Sequence, residues 1–399
     1  MYAREIYGLM MAGAMLLIAG CSADDVVKET TSEEAIAISF SCDYDNQEVH
    51  PTRAGYEGLM NIEDLYTTGF GVMASTSATK VPNLMYNQKV EFTLVGDLEQ
   101  PDPEDPESRP KGYWSYSPLK YWPTGLTAES NFYISAYAPY LELPIDGSGT
   151  GIIGISDNDE APYVDYRRCD KPNQLVDLLW YYVEPASIPA ATEQQPRGTL
   201  AMKMRHALAR LEIKVAVGAD PGTTKVLIEK ITLKGKMAKT GRLSLSSQET
   251  AGSGVDTKYY PVWSNQVFDK DGGGDDTDHT IEITNIENDE GSYGIIDSQV
   301  RYIPGLPYAW QPDGLKFCDA GGTGKGYQNA LNTGDRKGYI YLIPQSTLEL
   351  TVVVKYKKWV SGEAAPTTGE KTTTAATTTV ANPLKGNTTY TLNVKLSDI

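Results

Sequence analysis

Apolar and polar residues alternate in short runs along most of the chain, which is the pattern of strands that bury one face. The first clear run places Ile36, Ile38 and Phe40 on one side of a predicted strand, and a longer run covers residues 208–217. Further strands are predicted at 65–73, 89–95, 113–122, 132–137, 175–182, 226–233, 241–245, 258–263, 280–286, 338–343, 348–355 and 389–396. We therefore expect an all-β protein with few and short helices.

The predicted strands fall into two sets. Residues 184–198 separate them, are rich in Pro, Ala and Gln, and lack any hydrophobic period, which is typical of a linker. Strands at this spacing with turn residues between them favour β-sandwiches. We expect two sandwich domains in series, at residues 35–190 and 199–399, after a signal peptide at 1–20 and an acidic tether at 21–34.

The N-terminus has the features of an export signal. Arg4 precedes an apolar run over residues 6–19 that is too short to span a membrane and ends in small residues. Residues 17–21, Leu-Ile-Ala-Gly-Cys, resemble the bacterial lipobox, which implies a cut between Gly20 and Cys21 and a lipid on the Cys21 thiol. A plain signal peptide or a buried helix is the alternative.

The residues after Cys21 indicate where the mature protein is held. Ser22, Ala23, Asp24 and Asp25 resemble the acidic tag that directs Bacteroidetes lipoproteins to the outer leaflet of the outer membrane. A surface-exposed position on the cell outer membrane, with membrane lipid as a partner through Cys21, is therefore expected. An ordinary solvated tether explains the same four residues.

Composition narrows the function classes. The net charge is −17 and the pI near 4.7, so no excess of Lys and Arg is available to neutralise phosphates, and we expect no nucleic-acid partner. Twenty-six Tyr against 6 Phe suit strands better than helices. Three cysteines remain after Cys21, an odd number that does not make a disulfide framework, so Cys42, Cys169 and Cys318 are expected to be small buried residues.

The chain offers little material for catalysis. Its three histidines, His50, His206 and His279, are not accompanied by a recognisable nucleophile or metal-ligand spacing. We expect no enzyme activity, no cofactor and no metal, and a structural role for His206 at the edge of a core. The Asp- and Gly-rich stretch at 269–278 fits either a solvated loop or a calcium loop, and its spacing is not that of an EF-hand.

Several segments taken in order resemble the fimbrillins, the FimA- and Mfa-like subunits of Bacteroidetes type V fimbriae. These segments are Cys21; Thr52, Arg53 and Ala54; Tyr121, Trp122 and Pro123; Phe132, Tyr133, Ala136, Tyr137 and Pro139; Arg205, His206, Ala207 and Leu208; Ile343, Pro344 and Gln345; and residues 386–396. The resemblance implies two transthyretin-like β-sandwich domains. It also implies a structural or adhesive fimbrial subunit that assembles with other fimbrial subunits by strand exchange.

The resemblance further implies a proteolytic step. A cut between Arg53 and Ala54, in an exposed polar loop, would remove the strand that carries Ile36, Ile38 and Phe40 and open a groove for another subunit's strand. Arg53 is alternatively an ordinary loop arginine.

In the family that the chain resembles, shaft subunits carry a donor extension after the last strand, and we expect no such extension here. The chain stops soon after the predicted strand at 389–396. This favours a subunit at one end of a filament, either the tip or the anchor, unless the last strand itself is exchanged. The alternative function is a monomeric lipid-anchored surface protein that binds glycan or another host or bacterial surface ligand.

Overall fold

The computed structural model describes residues 36–44, 62–95, 112–126, 130–168, 176–183, 199–217, 224–253, 257–268, 279–284, 328–329, 340–346, 348, 350–360, 367–375 and 384–396. Gly20, Cys21, Arg53, Ala54 and the acidic stretch at 269–278 lie outside these ranges. The predictions for them remain predictions.

Within these ranges the chain forms nineteen strands and one helix. The strands are β1 (Phe40–Tyr44), β2 (Phe70–Ser75), β3 (Met85–Leu94), β4 (Gly112–Ser115), β5 (Tyr133–Ala138), β6 (Gly151–Ile155), β7 (Tyr163–Arg167), β8 (Leu179–Val183), β9 (Leu200–His206), β10 (Ala209–Val217), β11 (Thr224–Gly235), β12 (Thr240–Ala251), β13 (Lys258–Val267), β14 (His279–Thr284), β15 (Gln328–Asn329), β16 (Ile340–Leu342), β17 (Leu350–Val360), β18 (Thr367–Ala375) and β19 (Thr389–Leu396). The predicted all-β class is confirmed.

The helix α1 (Ile62–Thr68) corrects the predicted strand at 65–73. Leu65 is fully buried within the helix, and β2 begins only at Phe70. Gly69 between them has φ +64°, and a Cβ there would lie 2.5 Å from the carbonyl oxygen of Val90. A glycine in the left-handed region is a common way to end a helix, so the chain can turn directly into β2.

The predicted strand at 113–122 is also shorter than expected. β4 ends at Ser115, and Pro118, which has no backbone N–H to give to a ladder, follows in the next turn. The chain regains a strand contact at Tyr121, which forms an antiparallel bridge with Ala37.

The largest sheet has seven strands in the order β1-β9-β8-β5-β2-β3-β4. β1 pairs in parallel with β9, whereas β9, β8, β5, β2, β3 and β4 pair successively in antiparallel fashion. β9 therefore brings residues from beyond the predicted linker at 184–198 into a sheet with residues that precede it.

Three four-stranded sheets complete the described fold. One has the order β13-β12-β7-β6, a second has β10 paired with β15, β16 and β19, and the third has the order β14-β11-β17-β18. β12 pairs with β7, so a second sheet also joins residues from the two sides of the linker. The division into two domains at this linker remains a prediction.

The seven-stranded sheet buries apolar side chains on both faces. Along β5, Ile134, Ala136 and Ala138 belong to one core together with residues of β1, β2 and β9. Tyr137 belongs to a second core, which includes Val164 of β7 and other residues of β12 and β16. This alternation follows from the period of two along a strand.

Candidate functional site: the seat of the N-terminal segment

The N-terminal segment, residues 36–44, carries the alternating residues Ile36, Ile38 and Phe40, whose displacement the family resemblance implies. Ile38 and Phe40 are 1% and 4% exposed, and Ile36 packs partly buried against the same core. The Phe40 ring lies 6.3 Å from that of Phe70, edge to face, and 5.5 Å from that of Tyr116. The three predicted side chains therefore share one apolar environment.

The backbone of the segment is hydrogen-bonded to two neighbours. On one side the Ile38 amide donates to the Lys120 carbonyl at 2.8 Å, and the Trp122 amide donates to the Ile36 carbonyl at 2.9 Å. The Leu200 amide donates to the Ser39 carbonyl at 2.8 Å, where the parallel ladder with β9 begins. β1 is the last strand at one end of the seven-stranded sheet, and residues 120–122 come shortly after β4, the last strand at the other end. The N-terminal segment is therefore hydrogen-bonded to residues from both ends of the sheet.

Side-chain hydrogen bonds also hold the N-terminal segment in place. The Tyr116 phenol donates to the Ile38 carbonyl at 2.7 Å and also lies 3.2 Å from the Lys120 carbonyl. Burial raises the pKa of Tyr116, so its hydroxyl remains a proton donor at neutral pH. The hydroxyls of Ser39 and Thr199 lie 2.9 Å apart.

The strand β9 pairs with the segment and packs in the same core. Its Leu200, Met202 and Met204 are buried in the same core, whereas Ala201 and Lys203 between them are exposed. Full burial of an aliphatic or aromatic side chain contributes about 1.5–3 kcal/mol. Withdrawal of the segment would therefore expose an apolar groove along β9 at a cost of several kcal/mol, which another apolar strand could offset.

The C-terminal strand β19 has a similar relation to β10. It runs parallel to β10 from Arg210 opposite Thr389 to Val217 opposite Leu396. Leu392 is buried. All eight residues of β19 are thus in register with β10 of the same chain.

The turn before β19 is closely packed. The amides of Arg210 and Asn387 donate to the carbonyls of Thr388 and Leu208, at 3.0 and 3.2 Å. A Cβ on Gly386 would lie 2.4 Å from Cγ of Pro261 and 2.5 Å from the carbonyl oxygen of Ala207. The absence of a side chain at Gly386 therefore lets this turn approach the β9–β10 connection.

His206, expected at the edge of a core, lies inside one. Its Nδ1 is 2.6 Å from Oδ2 of Asp177, and the two side chains are 2% and 0% exposed. Burial, with a smaller effect from Arg210, holds the pKa of His206 well below its ordinary value. The imidazole is therefore neutral and inaccessible to a substrate, which fits the predicted structural role and not general-base catalysis.

A small recess lies between β2, β5 and β12. Lys80 projects into it and donates to the Tyr182 hydroxyl at 2.9 Å and to the Ser246 carbonyl at 2.7 Å. The Lys80 ammonium also lies 4.9 Å from the centre of the Tyr133 ring. The recess has room for about one water molecule, so it does not hold a sugar or a cofactor.

The described residues offer no candidate metal site. Among them, no group of three or more His, Cys, Asp or Glu is placed to hold a metal ion. No helix in the described ranges is both long and apolar enough to cross a membrane.

Sequence reasoning missed what holds the first strand. The alternation of Leu200, Met202 and Met204 with Ala201 and Lys203 is itself a strand signal, and it indicates a half-buried strand. It does not indicate which strand lies beside it, because pairing across about 160 residues depends on the whole topology. Tyr116 carries no local signal of its role.

The fold is shared with a fimbrial protein of known structure. The structure matches the crystal structure of a fimbrial protein from Bacteroides vulgatus ATCC 8482 with a TM-score of 0.52 at 16% sequence identity, over 90% of this chain and 95% of that one. It also aligns, with a TM-score of 0.35 and 12% identity, to a putative cell adhesion protein from Bacteroides uniformis ATCC 8492, over 86% of this chain and 97% of that one.

A third similarity is to the fimbrial anchor protein Mfa2 from Porphyromonas gingivalis, with a TM-score of 0.23, 12% identity and coverage of 64% of this chain and 75% of that one. Comparison of the sequence with models of protein families and with curated proteins gives no match.

Proposed function

We propose that the protein is a structural or adhesive subunit of a cell-surface fimbria, exported as a lipoprotein through Cys21. The observation that carries the proposal is the way in which the N-terminal segment packs against β9. Ile38 and Phe40 fill an apolar groove along β9 from the edge of a sheet, which is the arrangement that strand exchange requires. The fold shared with the Bacteroides vulgatus fimbrial protein supports the same function.

In this proposal Arg53 is the processing position. A cut between Arg53 and Ala54 would sever the covalent connection of the N-terminal segment to the rest of the chain. The segment would then be held only by non-covalent interactions: its hydrogen bonds to Tyr116, Lys120, Trp122 and β9, and its apolar contacts. Another subunit's strand, adding to β9 with the same alternation, would compete for these interactions.

The experiment that tests strand exchange is limited digestion of the mature protein, residues 21–399, with a trypsin-like protease. We expect an early cut after Arg53, loss of the segment and growth of multimers, or capping of a partner's polymer. The Arg53→Gln variant controls for cuts elsewhere: it should lack the cut after residue 53 and should stay monomeric. Cleavage that leaves the oligomer distribution of the wild type unchanged would reject strand exchange.

Within a filament we propose a terminal position, at the tip or the anchor. The support is the pairing of β19 with β10 over its full length, because a strand engaged in its own sheet is not available for donation. Mixing with labelled shaft subunits tests this. A terminal subunit should shorten the polymers in proportion to its concentration, whereas incorporation along the shaft contradicts the proposal.

A second function is favoured by one observation. The N-terminal segment is hydrogen-bonded on both sides and well buried, as expected of a strand that is kept. The protein would then be a monomeric, lipid-anchored surface protein that binds glycan or another host or bacterial surface ligand. Retention of residues 21–53 on protein isolated from the cell surface would favour this function over the fimbrial one.

Lipid attachment is tested separately. Radiolabelled palmitate should enter the wild-type chain but not the Cys21→Ala variant, and only the wild type should fractionate with the outer membrane. Equal labelling of both chains would reject Cys21 as the modified residue.

A further inference from the structure

We infer that β1, β9, β10 and β19 form a path that carries tension through the protein, with both terminal strands loaded in shear. The inference rests on one part of the proposed function, the lipid attachment at Cys21, because tension reaches Ile36 when the chain is held there and pulled at its C-terminal end. It concerns the chain that keeps its N-terminal segment. It uses the register of the strands and the contacts of the connection between β9 and β10.

The first half of the path is the parallel ladder of β1 and β9. Phe40 lies opposite Leu200 at one end, and Tyr44 lies opposite Met204 at the other. Tension from Ile36 enters β1 at its N-terminal end and leaves β9 at its C-terminal end, towards His206. These are opposite ends of the ladder, so the force acts along the strands and loads the hydrogen bonds together.

The second half repeats this geometry. Tension enters β10 at Ala209 and leaves β19 at Leu396. In the parallel ladder, Arg210 lies opposite Thr389 and Val217 opposite Leu396, so the two points of force again lie at opposite ends. An antiparallel pairing of either terminal strand would place both points at one end, and the hydrogen bonds would then break one after another.

The connection between the two ladders is two residues long, Ala207 and Leu208, and both are buried. The Ala207 amide donates to the Leu178 carbonyl at 2.7 Å, and the Trp263 indole donates to the Ala207 carbonyl at 3.0 Å. The Asn387 amide donates to the Leu208 carbonyl at 3.2 Å. Three separate parts of the chain therefore hold the connection.

The buried pair of Asp177 and His206 strengthens this point. It links the end of β9 to the residues immediately before β8, at a distance of 2.6 Å. The Leu178 amide also donates to Oδ1 of Asp177 at 2.9 Å. Tension that passes from β9 to β10 is thus resisted by β8 as well, so the connection does not peel away before the ladders shear.

Single-molecule pulling of the mature chain, residues 21–399, tests the first ladder. A specific protease site replaces residues 52–55 and is cut after folding, so that the N-terminal segment is held without a covalent link. Handles at residue 21 and at the C-terminus load β1 in shear. A handle on an unnatural amino acid at Gly198, just before β9, replaces the C-terminal one and pulls β1 and β9 apart from the same end.

We expect a several-fold higher rupture force in the shear geometry than with the handle at Gly198. The second ladder has a matched control in the uncut chain, where handles at the C-terminus and at Gly218 pull β19 and β10 from one end. That geometry should release β19 at a several-fold lower force than pulling between the two termini. Equal or lower forces in the shear geometries overturn the inference.

These measurements use purified protein, with neither lipid nor fimbriae. Failure of the Cys21 or Arg53 experiments therefore leaves the measured forces unaffected. Conversely, equal rupture forces would reject the tension path and leave the fimbrial proposal standing.

Discussion

The phenol of Tyr116 donates a hydrogen bond to the backbone carbonyl of Ile38 at 2.7 Å, across 78 residues of sequence. Tyr116 follows β4 and Ile38 precedes β1, the two strands at the ends of the seven-stranded order. The ladder between β1 and β9 begins only at Phe40. The Tyr116 bond and the bridge between Ala37 and Tyr121 therefore hold the part of the N-terminal segment that precedes the ladder. The attachment of the N-terminal segment therefore depends on the Tyr116 side chain as well as on the ladder with β9.

Tyr116→Phe should loosen the N-terminal segment without opening a cavity. The Ile38 carbonyl loses a partly buried donor, so the free energy of unfolding should fall by about 1 kcal/mol. Urea unfolding measures the change. Tyr113→Phe is the matched control, because that side chain is 56% exposed, and it should change stability by less than about 0.5 kcal/mol. Equal losses in the two variants would show that the bond has no such role.

Ile38→Ala should weaken the packing of the N-terminal segment against the core. The side chain is 1% exposed, and truncation of a buried isoleucine costs about 2–5 kcal/mol. We expect a lower urea midpoint and faster proteolytic removal of the segment. Lys203→Ala on the exposed side of β9 is the control and should leave both measurements near the wild-type values. A midpoint unchanged by Ile38→Ala would contradict the buried position.

The sequence predicted the first strand only in part. Ile36, Ile38 and Phe40 share one apolar environment as predicted, but the strand β1 itself runs from Phe40 to Tyr44. Alternation at Ile36, Ile38 and Phe40 specifies a buried face wherever the strand pairs. The same logic located β10 and β19, but not their parallel pairing, which depends on how the chain returns to the sheet. The helix α1 was missed because Leu65 is equally suited to a helix or a strand, and the left-handed Gly69 that separates it from β2 has no strong local signal.

The candidate site was predictable only in the N-terminal segment. The buried face of Ile36, Ile38 and Phe40 was identified from the period of two, whereas the groove along β9 and the bond from Tyr116 arise from contacts between distant segments. His206 shows the same limit. The sequence placed it beside the predicted strand at 208–217 and at the edge of a core, whereas it ends β9 and is buried. Its burial against Asp177 depends on residues just before β8, which lie across the predicted linker.

Stability should depend on pH through His206. Its pKa in the folded chain lies well below 6.5, whereas in the unfolded chain it is close to about 6.5. Between these values the unfolded chain binds a proton that the folded chain does not, so the contribution is fully present above about pH 6.5 and is lost as the pH falls below it. The expected slope approaches about 1.4 kcal/mol per pH unit.

Urea unfolding of the wild type and His206→Gln at pH 7.5, 6.5 and 5.5 measures this contribution. The variant should be less stable at pH 7.5 and should lose less stability between pH 6.5 and 5.5 than the wild type does. Comparison of the two slopes removes the part due to carboxylates, which both chains share. Parallel slopes would show that His206 does not titrate differently in the folded and unfolded chains.

Gly386→Ala should destabilise the C-terminal strand through steric overlap. The new Cβ would lie 2.4 Å from the Pro261 ring and 2.5 Å from the Ala207 carbonyl oxygen. Neither a proline ring nor a backbone carbonyl at a buried connection moves away easily, so the turn before β19 must shift, at a cost of about 1–3 kcal/mol. Gly149→Ala is the matched control, because nothing lies within 4 Å of its added Cβ.

Thermal unfolding should give a lower Tm for Gly386→Ala and an unchanged or slightly higher Tm for Gly149→Ala, since a glycine replaced without strain restricts the unfolded chain. Hydrogen exchange should also be faster along β19 in the Gly386 variant, because the displaced turn no longer holds the start of the ladder with β10. If β19 exchanges at the wild-type rate in that variant, the turn at Gly386 does not anchor the C-terminal strand.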